Sequence, residues 1–409
     1  MNWKDKNIFI TGVGGFAGSY LAEELLNQGS NVYGLIRRRA DGTKPKNLID
    51  HGIQDDVTTI EGDLTNITSL ANAFDISEPD YVFHLAAQSF VPRSFENSAE
   101  TQMINCIGTS NLLEAARVKD SNAKIVFAGS SEEYGLVISS ENQYQAAKNE
   151  YGTIFPEPDS IPELPIRETN PLRPMSPYAV SKVYGDHLMQ NYYHSYGLDT
   201  TVSRAFNHEG AGRGLMFVTS VITNQIMKLK FGEINNITIG NLNAFRDWSH
   251  VTDIVHGYMK LAEKGKSGEV YNQGSMRTNS VLTYILLGLQ ESGWDVNKIE
   301  TFKGEKVVND PNEPDKTSIY DVNFDKTHVD KLMLEGELDY TLADGGINVY
   351  TDKGTVPIEF NPDRFRPAEV PILFSNTDKI QKIGAKIEHS LNDIIKDQLN
   401  FYLKKENRQ

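Results

Sequence analysis

Short apolar runs alternate with longer amphipathic stretches through the first half of the chain. The pattern predicts strands over residues 7–11, 31–35, 57–61, 81–85 and 124–128, and a helix over 15–28. It predicts a second helix over 101–116, with Ile104, Ile107, Leu112 and Leu113 as its apolar stripe. Such strand–helix alternation implies an α/β fold built on a parallel sheet with right-handed crossovers. From about residue 143 to Pro174 the texture changes. Prolines 156, 158, 162, 165, 171 and 174 predict a loop or lid without long regular structure. A long helix over 178–196 and a strand over 200–206 follow.

The stretch 305–362 is polar and rich in Asp. It reads as an inserted β excursion, with Gly345-Gly346 turning between strands at 338–340 and 347–350. An amphipathic helix pair over 379–403 closes the chain.

Composition narrows the function. Lys plus Arg is 40 and Asp plus Glu is 55 over 409 residues, a net charge of −15. That balance argues against a nucleic-acid partner, which calls for a basic face. One cysteine, Cys106, excludes an intramolecular disulfide and a cysteine-built zinc site. The nine histidines show no ligand spacing, so no metal is expected. The first apolar run, Ile8-Phe9-Ile10, is too short for a signal-peptide core or a membrane span. The expectation is a soluble, cytoplasmic protein without a membrane partner.

The first strand runs into Thr11-Gly12-Val13-Gly14-Gly15-Phe16-Ala17-Gly18, and a helix follows. Gly12, Gly15 and Gly18 let the chain turn tightly, approach a pyrophosphate and pack on the sheet. The helix N-terminus offers unpaired N–H groups to the phosphates. In this strand–loop–helix setting the motif predicts a Rossmann-type doubly wound sheet and a dinucleotide cofactor. After the second strand, where an acid would hold a ribose hydroxyl, stand Arg37, Arg38 and Arg39. They favour NADP over NAD, although a solvated basic turn has the same appearance. Asp63 and Leu64 after the third strand suit the adenine, and Ala86 after the fourth lets backbone approach the cofactor.

A second constellation is Tyr178-Ala179-Val180-Ser181-Lys182. Four-residue spacing puts Tyr178 and Lys182 on one helix face. The ammonium is expected to lower the phenol pKa and make Tyr178 an acid/base at neutral pH. Gly129-Ser130-Ser131-Glu132-Glu133-Tyr134-Gly135 follows the fifth strand, and open α/β sheets bind ligands at the carboxyl ends of strands. Ser130 is placed to bond a sugar hydroxyl beside Tyr178, with Glu132 as a second acid/base or a solvated loop carboxylate.

Together these residues resemble the extended short-chain dehydrogenase/reductase family over nearly the whole chain. Within it the likeness is to the GDP-mannose 4,6-dehydratases. It rests on Ser130-Ser131-Glu132, Phe206-Asn207-His208-Glu209, Arg213-Gly214, Phe217-Val218-Thr219, Gly240-Asn241-Leu242, Arg246-Asp247-Trp248 and Arg366-Pro367-Ala368-Glu369-Val370. The resemblance implies that Ser130, Glu132, Tyr178 and Lys182 are catalytic. It implies that Ser89, Ser94, Asn207, Val218, Arg246, Arg366 and Glu369 hold a nucleotide-diphosphate sugar. NADP would lie on Gly12, Gly15, Phe16, Gly18, Arg37, Arg38, Asp63, Leu64, Ala86, Tyr178 and Lys182. His208 is expected to be structural. The implied reaction is an internal oxidation–reduction: oxidation at carbon 4, loss of water across carbons 5 and 6, and return of the hydride to carbon 6. A homodimer or homotetramer paired through the helices at 101–116 and 178–196 is also implied.

The implied division is a dinucleotide-binding domain over 1–206, interrupted at 136–174 and rejoined by 240–275. A smaller C-terminal α/β substrate domain takes 207–239 and 276–409, with 305–362 as a polar insert. Residues 129–135 and 173–178 also resemble GDP-4-keto-6-deoxymannose reductases, which need only Ser, Tyr and Lys and consume NADPH. That reaction, or another nucleotide-sugar dehydratase or epimerase, is the alternative.

Overall fold

Strand β1 (Asn7–Thr11) buries Ile8, Phe9 and Ile10 completely, which a strand covered on both faces requires. It is an interior strand of a seven-stranded sheet in a computed structural model that describes residues 3–365 and 368–408. The other strands are β2 (Asn31–Ile36), β3 (Thr58–Glu61), β4 (Tyr81–His84), β5 (Lys124–Ala128), β6 (Thr200–Ala205) and β7 (Val270–Gln273). All pairings are parallel and the order is 3-2-1-4-5-6-7. This is the Rossmann-type doubly wound sheet, extended beyond its sixth strand. The order reverses between β1 and β4, which opens a crevice at their carboxyl ends. One face packs Leu21, Leu25, Ile254 and Tyr258, and the other packs Leu70, Leu112, Leu113 and Met189.

A second, five-stranded sheet carries most of the remaining core. Val307–Asn309, Val296–Thr301, Gly346–Thr351 and Gly354–Phe360 pair antiparallel, and Ile237–Ile239 adds parallel at the far edge. Ile299, Ile347 and Ile358 on this sheet pack with Leu282, Leu286 and Ile395 of two helices. The stretch 305–362 therefore supplies strands to a buried sheet and a short helix, His328–Leu334. The hairpin does not form as the sequence predicts. Residues 338–340 are not a strand, Gly345-Gly346 leads into Gly346–Thr351, and the hairpin turn falls at Asp352-Lys353.

Two other expectations shift. The helix at 101–116 is interrupted by a π turn, Met103–Ile107. The wider turn rotates the following face, so Ile107 is exposed while Leu112 and Leu113 stay buried. The loop after residue 143 contains a helix, Glu141–Tyr151, which ends before the first proline and starts at a Ser140 cap. The segment is also folded on itself by a buried ion pair between two of its own residues. Arg173 Nη1 and Nη2 each lie 2.8 Å from a Glu163 oxygen, and Arg173 also donates to the Pro156 and Leu136 carbonyls. Glu163 in turn accepts the Ile138 N–H at 2.8 Å. Farther on, Ile166 N donates to Phe374 O at 2.7 Å, which joins the segment to the strap after Glu369.

Removing one partner of a buried pair leaves a charge unpaired. Arg173→Ala should cost about 3–5 kcal/mol of stability, read from urea unfolding. A loss below about 1 kcal/mol, as for an exposed pair, would mean that the segment is held by other contacts.

Candidate active site

β1 ends at Thr11, and Gly12 takes φ +78°, a left-handed conformation that glycine reaches without strain. A Cβ on Gly12 would lie 2.8 Å from Ala86 N, and one on Gly18 would lie 2.2 Å from Gly12 O. Only glycine permits these approaches. The helix that follows, Phe16–Asn27, has no side-chain cap, so its first N–H groups remain for a ligand. In front of it runs a groove of about 800 Å³. Gly12, Gly15, Arg37, Arg38, Arg39, Asp63, Leu64 and Ala86 all line it. The cradle and the groove fit a pyridine dinucleotide. Asp63 accepts from Thr65 N and Oγ1 at 2.8 and 2.6 Å, which holds its carboxyl below the usual carboxylate range. Phe16 is stacked on His208, at 6.4 Å between centroids. The His208 ring touches the Phe206 carbonyl through Nδ1, in keeping with a structural histidine.

The Tyr178 helix, Pro177–Tyr196, starts at a Ser176 cap with proline in its first turn. It lays Tyr178 and Lys182 against the end of β5. There Ser130 caps the 3-10 turn Ser131–Glu133, accepting the Glu132 N–H at 3.2 Å. The Ser130 hydroxyl lies near enough to the Tyr178 phenol to favour its ionised form. Glu132 is half-buried and close enough to add negative potential at that phenol. The structure thus brings Ser130, Glu132, Tyr178 and Lys182 together.

The electrostatics differ from expectation. Burial pushes the Tyr178 phenol up; Ser130 and Arg213 pull it down, and Glu132, with Glu133 when ionised, pushes it up further. Lys182 Nζ stands 5.9 Å from the Tyr178 ring centroid. The ammonium donates to Ala128 O at 2.7 Å and rests 4.9 Å over the Phe127 ring. Burial lowers its pKa to about 8, opposed by Glu133.

The residues assigned to the sugar nucleotide are less uniform. Arg246 Nη2 donates to Glu369 Oε1 at 2.6 Å and Nη1 to Val370 O at 2.7 Å, so two predicted ligand residues hold each other. Asn207 Oδ1 is buried without a hydrogen-bond partner among the described residues. Val218 opens the helix Val218–Lys230, and Ser89 is exposed. Ser94 is turned inward: it is fully buried, and its hydroxyl donates to Val91 O at 2.6 Å. Arg366 lies outside the described residues.

Some contributors were given no role of their own from sequence. Asn105, in the π turn, donates to Gln88 O at 3.0 Å and to Ser181 Oγ at 2.8 Å, tying the groove to the Tyr178 helix. Arg213 sits 3.5 Å over the Phe217 ring, with Glu209 3.5 Å away. His84 bridges Thr11 at 2.7 Å and Thr109 at 3.0 Å. These are tertiary placements, and the π turn left no mark in the spacing.

Residues 8–274 match the model of the NAD dependent epimerase/dehydratase family. The chain belongs to this family. A GDP-mannose 4,6-dehydratase from Vibrio cholerae serotype O1 is 37% identical over 74% of this chain and 76% of its own length. Another from Yersinia enterocolitica is 30% identical over 93% of this chain and 89% of its own. Among solved structures, RMD from Pseudomonas aeruginosa complexed with NADPH superposes with a TM-score of 0.65 at 22% identity, covering 97% of this chain and 98% of that one. As a member of the epimerase/dehydratase family, the protein is a pyridine-nucleotide enzyme. No helix among the described residues is long and apolar enough to cross a membrane.

Two outcomes follow from the geometry of this epimerase/dehydratase site. Gly18→Ala should abolish binding of NADH and NADPH in a fluorescence titration, because its methyl group meets the Gly12 carbonyl; unchanged affinity would mean that the loop does not carry the cofactor. Burial holds His84 neutral with a pKa of about 3, helped by Lys182, and His208 neutral at about 4. An unfolded histidine titrates near about 6.5. Their contribution is therefore complete above about pH 6.5 and is lost as the pH falls towards the folded values. The stability gap between wild type and His84→Gln should narrow below that pH, and a constant gap contradicts the placement.

Proposed function

We propose that the protein is a nucleotide-sugar 4,6-dehydratase that converts GDP-mannose to GDP-4-keto-6-deoxymannose with NADP. The observation that carries the reading is the meeting of a second acid/base, Glu132, with Ser130 and Tyr178 at the end of β5. A simple reductase needs the serine, tyrosine and lysine alone. The names of the relatives support the substrate, and the three arginines along the groove support NADP.

The Ser130 hydroxyl orients the sugar hydroxyl at carbon 4 towards the phenol. A bound nicotinamide supplies the hydride acceptor for carbon 4, the donor for carbon 6 and a positive charge beside the phenol. Tyr178 takes the hydroxyl proton at carbon 4. The resulting ketone acidifies carbon 5; Glu132 removes that proton and passes it to the hydroxyl leaving carbon 6 as water, and after hydride adds at carbon 6 a proton equivalent to the one Tyr178 took from the carbon 4 hydroxyl returns to carbon 5. Lys182, ionised up to about pH 8, favours the phenolate once the ammonium leaves Ala128 O. The buried acceptor of Asn207 suits a donor on the ligand. The proposed enzyme works in the cytoplasm, in keeping with its one cysteine, Cys106, buried and unpaired. It works as a homodimer or a tetramer of such dimers. Met103, Ile107, Val180 and Tyr184 are exposed on two adjoining helices, which Ser110 Oγ and Tyr184 hydroxyl link at 2.8 Å.

Mass spectrometry of protein with GDP-mannose and no added reductant should show loss of one water and no net change in cofactor. Reduction of the 4-keto-6-deoxy sugar by NADPH, with no dehydration, would place the protein with the reductases. Tyr178→Phe should lower kcat by about 100- to 10,000-fold while NADP stays bound. Glu132→Gln should still oxidise carbon 4 but fail to lose water; normal dehydration would remove Glu132 from the mechanism.

A further inference from the structure

Behind Tyr178 and Lys182 lies a buried charged group that the mechanism does not use. Four-residue spacing continues to Asp186, on the same helix face and fully buried. Arg204 of β6 donates through Nε to Asp186 Oδ2 at 2.8 Å. Gln190 donates to Asp186 Oδ1, so both oxygens of that carboxylate have donors. Glu133, on the Ser130 turn, is also fully buried. Its Oε1 accepts the Ser130 N–H at 2.7 Å. Its Oε2 has no donor among the described residues: Arg204 Nε stands 3.4 Å away, committed to Asp186. The Tyr134 hydroxyl gives its proton to Asn272 Oδ1 at 2.6 Å. Two buried carboxyls thus share one guanidinium, with Arg204 Nε 2.8 Å from Asp186 Oδ2 and 3.4 Å from Glu133 Oε2. Asp186 takes the donors, so a proton on Glu133 is what spares the pair a second, uncompensated buried charge.

We propose that Glu133 is a positioning residue of this site, a neutral carboxylic acid that donates to Asp186, holds the Ser130 N–H and so aims the Ser130 hydroxyl at Tyr178. The assignment rests on the reading of Ser130 and Tyr178 as the reacting pair. Burial and the Asp186 charge both push the Glu133 carboxyl up, in agreement with the geometry. Neutrality also matters at the reacting end. A charge on Glu133 would raise the Tyr178 phenol further and hold the Lys182 ammonium more tightly.

The test joins a spectroscopic and a kinetic readout on the full chain. The infrared difference between wild type and Glu133→Gln should contain the carbonyl stretch of a protonated carboxylic acid; other buried carboxyls cancel. Glu133→Gln keeps an acceptor for Ser130 and a donor for Asp186, so it should rescue most of the kcat that Glu133→Leu loses. The leucine variant, or Glu133→Met should leucine not fold, should lose about 100-fold in kcat, the scale of a misplaced reacting group, with KM moving far less. Absence of the band overturns the proposal. Equal loss in the glutamine and apolar variants, or normal kcat in the apolar one, does so too. The infrared result needs no substrate. If wild type fails to dehydrate GDP-mannose, the functional reading falls while the protonation of Glu133 is still decided.

Discussion

The close contact between the Tyr178 helix and strand β5 sets the position of everything that reacts. Its pivot is Gly185, where a Cβ would stand 2.4 Å from the Phe127 ring. With only hydrogen there, the helix lies against the sheet and carries Lys182 over that same ring and onto the Ala128 carbonyl. One turn earlier, Tyr178 meets Ser130, which leaves the end of β5 in extended conformation. The glycine loop repeats the device at β1, where a helix approaches a strand end closely enough to exclude a methyl group. Both contacts face the crevice opened by the reversal of strand order, so cofactor groove and acid/base pair share one edge of one sheet.

Close packing has an electrostatic consequence. It buries a phenol, an ammonium, two carboxyls and a guanidinium within a few side chains of each other. Burial disfavours every charged form, so Tyr178 rests as a phenol and Lys182 keeps its proton only to about pH 8. A site in this condition is poised rather than active. Under the proposed function, a cationic cofactor, once bound, would favour the phenolate and make it a usable base. At the opposite end, Arg246 and Glu369 satisfy each other; under the proposed function an incoming diphosphate would compete for the guanidinium.

Much of this was legible because it depends on local spacing. The alternation around 7–11 and 31–35 located β1 and β2 almost to the residue. Glycines 12, 15 and 18 between strand and helix specified the loop, and the four-residue step from Tyr178 to Lys182 specified a shared face. What escaped depends on distant parts of the chain. The face of Ile107 is changed by a π turn with no mark in the residue pattern. The helix at Glu141–Tyr151 is mostly polar and was obscured by the prolines that follow it. Glu133 drew no role from the sequence, because its burial is imposed by Asp186 and Arg204, remote in sequence. Arg173 and Glu163 gave no sign of their pairing for the same reason of nonlocality, although they are ten residues apart.

The central claim is that one site oxidises carbon 4 and returns the same hydride to carbon 6. The most direct measurement uses GDP-mannose deuterated at carbon 4, with a large excess of unlabelled NADP in solution. The account predicts a dehydrated product with the deuterium at carbon 6 and none in the free cofactor. Deuterium in the NADP pool, or an unlabelled carbon 6, would contradict it.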